Sequence, residues 1–203
     1  MKYDPSFFFN VQTIEQGKMI VLNGPTEEEL KLRWSLETFH TISTLKKLSL
    51  PENPLILDYG CGIGRLSKEM IEQMNATVVG IDISPSMLQL SFEYVMHDKF
   101  IPTGHRALQK IIENGLKFDL VVAVWVLQHA RNPIDDILLI KSCLRENGLF
   151  YCVNCTERGL PTDIGFVDDK NNIEKLLDLN FEPMNKTILP KTVPMGDGLT
   201  NIL

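Results

Sequence analysis

Residues 120–127 (LVVAVWVL) are apolar without interruption. A strand with one wet face alternates polar and apolar side chains, so this run belongs to a strand buried on both faces. A bilayer crossing needs roughly 20 apolar residues, so the run is too short to be a span. Residues 118–125 form the strongest of five expected strands; the others are 55–59, 77–82, 99–102 and 149–153. Helical patterns fill the gaps at 65–74, 85–97, 106–114 and 133–144. Buried strands alternating with helices over short connections specify an α/β fold, a parallel sheet covered by helices.

The flanks are less regular. Residues 19–22 suggest a short strand. Thr26 with Glu29 fits a capping box, and Glu27 and Glu28 suit the positive end of a helix dipole. Leu32, Leu36, Phe39, Ile42 and Leu45 then follow at helical spacing, with a stop near Leu48, ahead of Pro51. After residue 155 we expect a helix at 171–179, a strand within 181–189 and a thin closing strand at 199–203. With two closing strands this slight, the sheet is expected to be short at that edge or completed by a partner chain, and the oligomeric state stays open.

Lys plus Arg number 20 against 26 Asp plus Glu, a formal net charge of −6. A binder of nucleic-acid backbones needs a basic surface, so no nucleic-acid partner is expected. No basic segment leading into an apolar run opens the chain. That, and a core that needs no disulfide among Cys61, Cys143, Cys152 and Cys155, makes a cytoplasmic setting the expectation, with no membrane partner.

Chemistry concentrates after the first strand, at Asp58-Tyr59-Gly60-Cys61-Gly62-Ile63-Gly64. Glycines at alternate positions let the backbone turn tightly and approach a ligand, and the next helix offers its free N–H groups. A dinucleotide turn reads G-x-G-x-x-G, but Arg65 stands where its third glycine belongs. Asp58 would repel a pyrophosphate and suits a cation. Asp82 ends the second strand, at the offset where such folds meet a ribose with an acid. Ile83 and Met87 can flank a base. A purely structural turn at the glycines, and a helix-capping role for Asp82, are the plain alternatives.

This ordered set is completed by Gly80-Ile81-Asp82-Ile83-Ser84-Pro85-Ser86-Met87-Leu88, Phe118-Asp119-Leu120-Val121, Leu127-Gln128-His129 and Leu144-Arg145-Glu146-Asn147-Gly148. Together the motifs resemble class I S-adenosylmethionine-dependent methyltransferases, closest to the type 11 group, over residues 55–155. The resemblance implies a Rossmann-like, doubly wound sheet of about seven strands with an antiparallel last strand and helices on both faces. It implies one domain over 1–203: a lid and helix at 1–54, a cofactor core at 55–155, and closing elements at 156–203. It places S-adenosyl-L-methionine against Asp58, Gly60, Cys61, Gly62, Gly64, Asp82, Ile83, Met87 and Val124. The adenine-side acid common after strand three is missing here, and His105 is the stand-in.

His129 and Gln128 follow strand four, near the transferred methyl in that family. His129 is a candidate general base and Gln128 a candidate for orienting substrate; a histidine that only holds backbone groups is the plain alternative. Trp125 reads as packing or a substrate platform. Cys152 and Cys155 form a C-x-x-C without a second pair, so no metal is assigned. The expected activity is methyl transfer to an oxygen or nitrogen of a small-molecule acceptor. A non-catalytic module of the same fold would show a closed surface between the first long helix, the end of strand four and the loop after Val153. A nicotinamide oxidoreductase is disfavoured by Arg65 and by the lack of a Tyr-x-x-x-Lys pair.

Overall fold

The computed structural model describes residues 1–22, 26–155, 157–189 and 198–203. The strands in chain order are β1 (Leu55–Tyr59), β2 (Thr77–Ile81), β3 (Phe100–Thr103), β4 (Phe118–Val124), β5 (Leu144–Cys155), β6 (Leu160–Thr162), β7 (Gly165–Val167), β8 (Asn185–Ile188) and β9 (Gly198–Ile202). The helices are α1 (Ser6–Phe9), α2 (Ile14–Val21), α3 (Glu27–Leu45), α4 (Arg65–Met74), α5 (Pro85–Val95), α6 (His105–Glu113), α7 (Pro133–Cys143) and α8 (Ile173–Asn180). A single 3₁₀ turn, Leu127–His129, follows β4.

A seven-stranded sheet runs β3-β2-β1-β4-β5-β9-β8. The first five are mutually parallel, and β9 is antiparallel to both β5 and β8. Alternate side chains of each buried strand feed two cores. Leu57 and Tyr59 of β1 pack with Leu108, Ile137, Ile140 and Leu177 of α6, α7 and α8. Ile56 packs with Ile42, Leu45, Leu66, Met70 and Val95 of α3, α4 and α5. Helices thus cover both faces, as uninterrupted apolar strands require. Among the described residues, no helix is long and apolar enough to cross a membrane.

The structure departs from the sequence expectations in several places. Residues 19–22 are not a strand: they end α2, whose start is fixed by Thr13 accepting a hydrogen bond from the Gln16 N–H. The Gln16 side chain accepts in turn from the Gln12 N–H at 2.8 Å. Helix α3 is capped by Thr26 as expected, but the stripe it buries is different. Leu32 and Phe39 are 51% and 73% exposed, while Arg33, Glu37, Thr38 and Thr41 are buried with Ile42 and Leu45. The reason is Arg65 at the start of α4, which donates to Glu37 and Thr38, each at 2.9 Å, and turns the polar face inward.

The turn at 144–148 does not precede β5 but interrupts it. Phe118 pairs with Leu144 and Leu120 with Leu149, so the intervening residues bulge, with Asn147 at φ 60°. At the C-terminal edge, β8 is shorter than 181–189. The thin candidate at 199–203 proves interior: β9 lies between β5 and β8, and Leu203 exchanges both backbone hydrogen bonds with Phe150. Residues 190–197, read as rich in Pro and Gly, lie outside the described residues.

Candidate functional site

The strand order reverses between β1 and β4, and ligands of such sheets bind outside the carboxyl ends at that switch. A cavity of about 850 Å³ lies there. Of the residues expected to bind a cofactor, Gly60, Gly62, Asp82, Ile83, Met87, His105 and Val124 line it, as do both catalytic candidates, Gln128 and His129. Asp58, Cys61 and Gly64 are not among its lining residues.

The turn after β1 is pinned to the end of β2, because the Gly60 and Cys61 N–H groups both donate to the Ile81 carbonyl at 2.8 Å. Gly60, Gly62 and Gly64 have φ of 78°, 54° and 85°, a region that side-chain-bearing residues occupy at a cost. A Cβ on Gly60 would stand 2.4 Å from a Val126 methyl, and one on Gly62 would stand 2.8 Å from a Val21 methyl. Helix α2 is therefore seated on the turn itself. It approaches through its own glycine, Gly17, whose absent Cβ would fall 2.4 Å from Ile63.

Two acids serve this turn. Asp82 accepts from the Gly62 N–H at 2.9 Å on one oxygen and from the Ser84 N–H at 2.8 Å on the other. An ionised carboxylate has about four acceptor sites, so Asp82 keeps acceptor capacity for a ligand beyond the Ser84, Gly62 and Ile83 N–H groups that face it. Asp58 is buried behind the turn, where the Ser67 hydroxyl donates to it at 2.6 Å. Burial pushes its carboxyl up to about 6, against the pull of Ser67 and Arg65. It influences the cavity as a charge behind the wall. Cys61 is likewise buried, and burial holds its thiol protonated.

At the other end of the cavity, His129 Nδ1 lies 2.6 Å from the Gly159 carbonyl and Nε2 lies 3.3 Å from Gln128 Nε2. A carbonyl only accepts, which assigns the ring proton to Nδ1 and leaves Nε2 with its lone pair. Gln128 is oriented by the Cys155 N–H, which donates to Oε1 at 2.8 Å, so its amide N–H₂ faces the histidine. Burial lowers the His129 pKa, favouring the neutral ring.

The hairpin of β6 and β7 supports this pair, and nothing in the sequence pattern pointed to it. Arg158 clamps Asp169 through two bonds of 3.0 Å and donates to the Leu127 carbonyl at 2.9 Å. The Gly159 N–H donates to the Gln128 carbonyl at 3.1 Å. Residues near the N-terminus extend the hairpin: Tyr3 bridges Thr162, and the Asp4 N–H donates to the Pro161 carbonyl at 3.1 Å. They then cross to α5, where Ser84 Oγ donates to the Phe9 carbonyl at 2.6 Å. Tyr3, Phe8, Phe9 and Phe166 line the cavity as a result. Of the 7–9 phenylalanine run, the Phe7 side chain lies outside the described residues.

Two further clusters border the site. His105 stands edge-on to Tyr59 at 5.7 Å, and the Tyr59 hydroxyl donates to Asp136. Trp125, at φ 63°, donates its indole N–H to Glu37 at 2.7 Å, so α3 is tied both to the end of β4 and, through Arg65, to α4. Arg65 is buried in that ion pair. The two cysteines of the C-x-x-C part company: Cys152 is packed in the core and Cys155 lines the cavity.

The sequence profile described as "Methyltransferase domain" matches residues 32–179. The chain is 29% identical over 113 residues to a ubiquinone biosynthesis O-methyltransferase of Methylobacterium sp., covering 54% of this chain and 45% of that protein. It is 35% identical over 98 residues to a tRNA U34 carboxymethyltransferase of Pseudomonas aeruginosa, covering 46% and 30%. The chain thus spans less than half the length of these two relatives. Among solved structures, magnesium protoporphyrin IX methyltransferase from Synechocystis, with bound SAM, superposes with a TM-score of 0.65 at 20% identity, covering 97% of this chain and 92% of that one. That likeness shows the fold.

Proposed function

The chain belongs to the methyltransferase-domain family, and from that premise we propose that it binds S-adenosyl-L-methionine and moves the methyl group to an oxygen or nitrogen of a small-molecule acceptor. The observation that carries this reading is one cavity with two chemically different ends. One end has glycine backbone and a carboxylate with acceptor sites to spare. The other has an oriented neutral imidazole within an aromatic wall.

The donor fits the first end. Asp82 accepts from the ribose hydroxyls, Ile83 and Met87 flank the base, and His105 stands on the adenine side. Gly60, Gly62 and Val124 bring backbone close to the methionine portion, and Asp58 balances positive charge from behind. When bound, S-adenosylmethionine supplies an electrophilic methyl on a positively charged sulfur. The protein's own tasks are alignment and exclusion of water. Phe8, Phe9 and Phe166 close the site, and His129 Nε2 takes the proton that the acceptor gives up.

A non-catalytic module would present a closed surface beside the first long helix. Here Arg33 of α3, Trp125 at the end of β4, and Cys155 all line open cavity, which supports the enzyme. Calorimetry against S-adenosylmethionine and NAD side by side tests the donor; binding of NAD alone overturns the proposal. His129→Gln is expected to lower turnover about 100-fold or more with cofactor affinity unchanged. Equal turnover removes His129 as the base.

A further inference from the structure

The acceptor end of the cavity is specific enough to name a substrate class. This inference rests on the methyl-transfer reading above. The His129 ring packs against Phe9 at 5.7 Å and Phe166 at 5.5 Å between centroids. Phe166 in turn packs on Phe8 at 4.1 Å. All four side chains line the cavity, together with Tyr3 and Trp125. The base is thus packed against aromatic rings, in a cavity that Arg33, Arg131, Asp135 and Asp136 also line. Aromatic rings favour flat π-systems set against them in offset or edge-on packing.

The base adds a second constraint. The Nδ1 proton of His129 is committed to Gly159, and Nε2 receives a weak hydrogen bond from Gln128. Such a nitrogen is a modest base, and it serves an acceptor whose own acidity is close enough for the proton to move. A phenolic hydroxyl, with a pKa of about 10 as in tyrosine, meets that condition. An aliphatic hydroxyl, close to water's roughly 15.7, does not. A carboxylate acceptor needs no base at all.

We propose that the acceptor is an aromatic hydroxyl compound, its ring held among Phe8, Phe9 and Phe166 and its O–H directed at His129 Nε2, where it takes the place of the weak 3.3 Å contact from the Gln128 amide. In the transfer, the O–H bond breaks and its proton goes to Nε2. A new O–CH₃ bond forms as the donor's S–CH₃ bond breaks, and that electron pair stays on sulfur, which becomes a neutral thioether. The products are an aryl methyl ether and a protonated His129 that returns its proton to solvent.

The test uses the full chain and two readouts. Calorimetry first measures S-adenosylmethionine alone, then 2-naphthol added to the cofactor-loaded protein. Transfer of labelled methyl is then followed with 2-naphthol, catechol, 2-naphthylamine, 2-naphthoate, 2-decalol and bulk tRNA. The expected result is binding of 2-naphthol, label in the aryl hydroxyls alone, and at least tenfold weaker 2-naphthol binding in Phe166→Ala with cofactor affinity unchanged. Phe166→Leu, which keeps apolar bulk without the ring, is expected to fall between the two and guards against misfolding of the alanine variant. Label preferentially in the amine, the acid, the decalol or the tRNA overturns the substrate class while leaving methyl transfer intact. Cofactor binding with neither binding nor methylation of the phenols overturns it as well. Failure to bind S-adenosylmethionine overturns the underlying reading, and this proposal with it.

Discussion

Asp58 gives the sharpest test of how the turn is built. Its carboxyl sits at about 6 in the folded chain, raised first by burial, against 3.8 without it. The folded state therefore binds a proton more tightly than the unfolded state, and Asp58 contributes stability that is full below about pH 4 and lost as pH rises through 6. The full span is about 3 kcal/mol, from some 2.2 pH units at 1.36 kcal/mol each. Near pH 5 about 1.4 kcal/mol of it remains, and by pH 8 almost none. Asp58→Asn removes the titration. The amide adds its own cost beside Ser67, but that offset does not vary with pH. The difference in stability between wild type and variant should thus shift by about 1.4 kcal/mol between pH 5 and pH 8, equivalent to about 3–6 °C in melting temperature for a chain of this size. Thermal melts of both proteins across that range measure it, and parallel curves would refute the buried-acid account. A cationic ligand beside Asp58 draws the pKa back down. Donor binding near pH 5.5 should therefore expel a proton, and affinity should fall as pH drops from 7 to 5. Calorimetry in two buffers of different ionisation enthalpy reads that proton directly.

The other outcomes are more local. Asp82→Ala is expected to weaken S-adenosylmethionine binding by about 1–3 kcal/mol; a lowered melting temperature with unchanged affinity would assign Asp82 solely to holding Gly62 and Ser84. Gly60→Ala must place a Cβ 2.4 Å from Val126 at φ 78°, so denaturant unfolding should show a loss of about 2–4 kcal/mol. Glu37→Ala leaves Arg65 buried without its carboxylate and removes the Trp125 indole's acceptor, for about 3–5 kcal/mol; a near-neutral result would show that α3 is not anchored by this pair.

The parts of the fold legible in sequence are those governed by local pattern. Buried parallel strands have no polar side to interrupt them, so the expected strands at 55–59, 77–82 and 118–125 match β1, β2 and β4 to within a residue, and Ser84 with Pro85 marks the start of α5. Some local signals compete with one another. Thr13-x-x-Gln16 is the same capping pattern as Thr26-x-x-Glu29, and it outweighs the β-branched appearance of Met19-Ile20-Val21, because a formed cap fixes the helix while a short apolar run is ambiguous. The buried face of α3 was beyond a hydrophobicity reading in principle. Its direction is set by Arg65, 28 residues past Glu37, and an ion pair between distant helices leaves no periodic trace.

The two ends of the cavity differ in the same way, and the difference has a physical origin. The proposed donor end is made by consecutive residues of one turn plus the acid closing the next strand, so a spacing rule captures it. It also captures residues that do not reach the cavity: Asp58, Cys61 and Gly64 satisfy the motif because the turn needs a buried acid, a small side chain and a left-handed glycine. The proposed acceptor end is assembled from Tyr3, Phe8 and Phe9 near the N-terminus, Gln128 and His129 after β4, and Phe166 on the hairpin. These meet because Arg158 clamps Asp169 to the Leu127 carbonyl and because residues 2–4 pair with β6. None of those pairings is periodic, and each spans a different sequence distance. On the proposed reading, the hairpin and the N-terminal segment are therefore elements through which the acceptor end can change while the glycine turn is kept. In this protein those two elements are the ones that supply the aromatic wall.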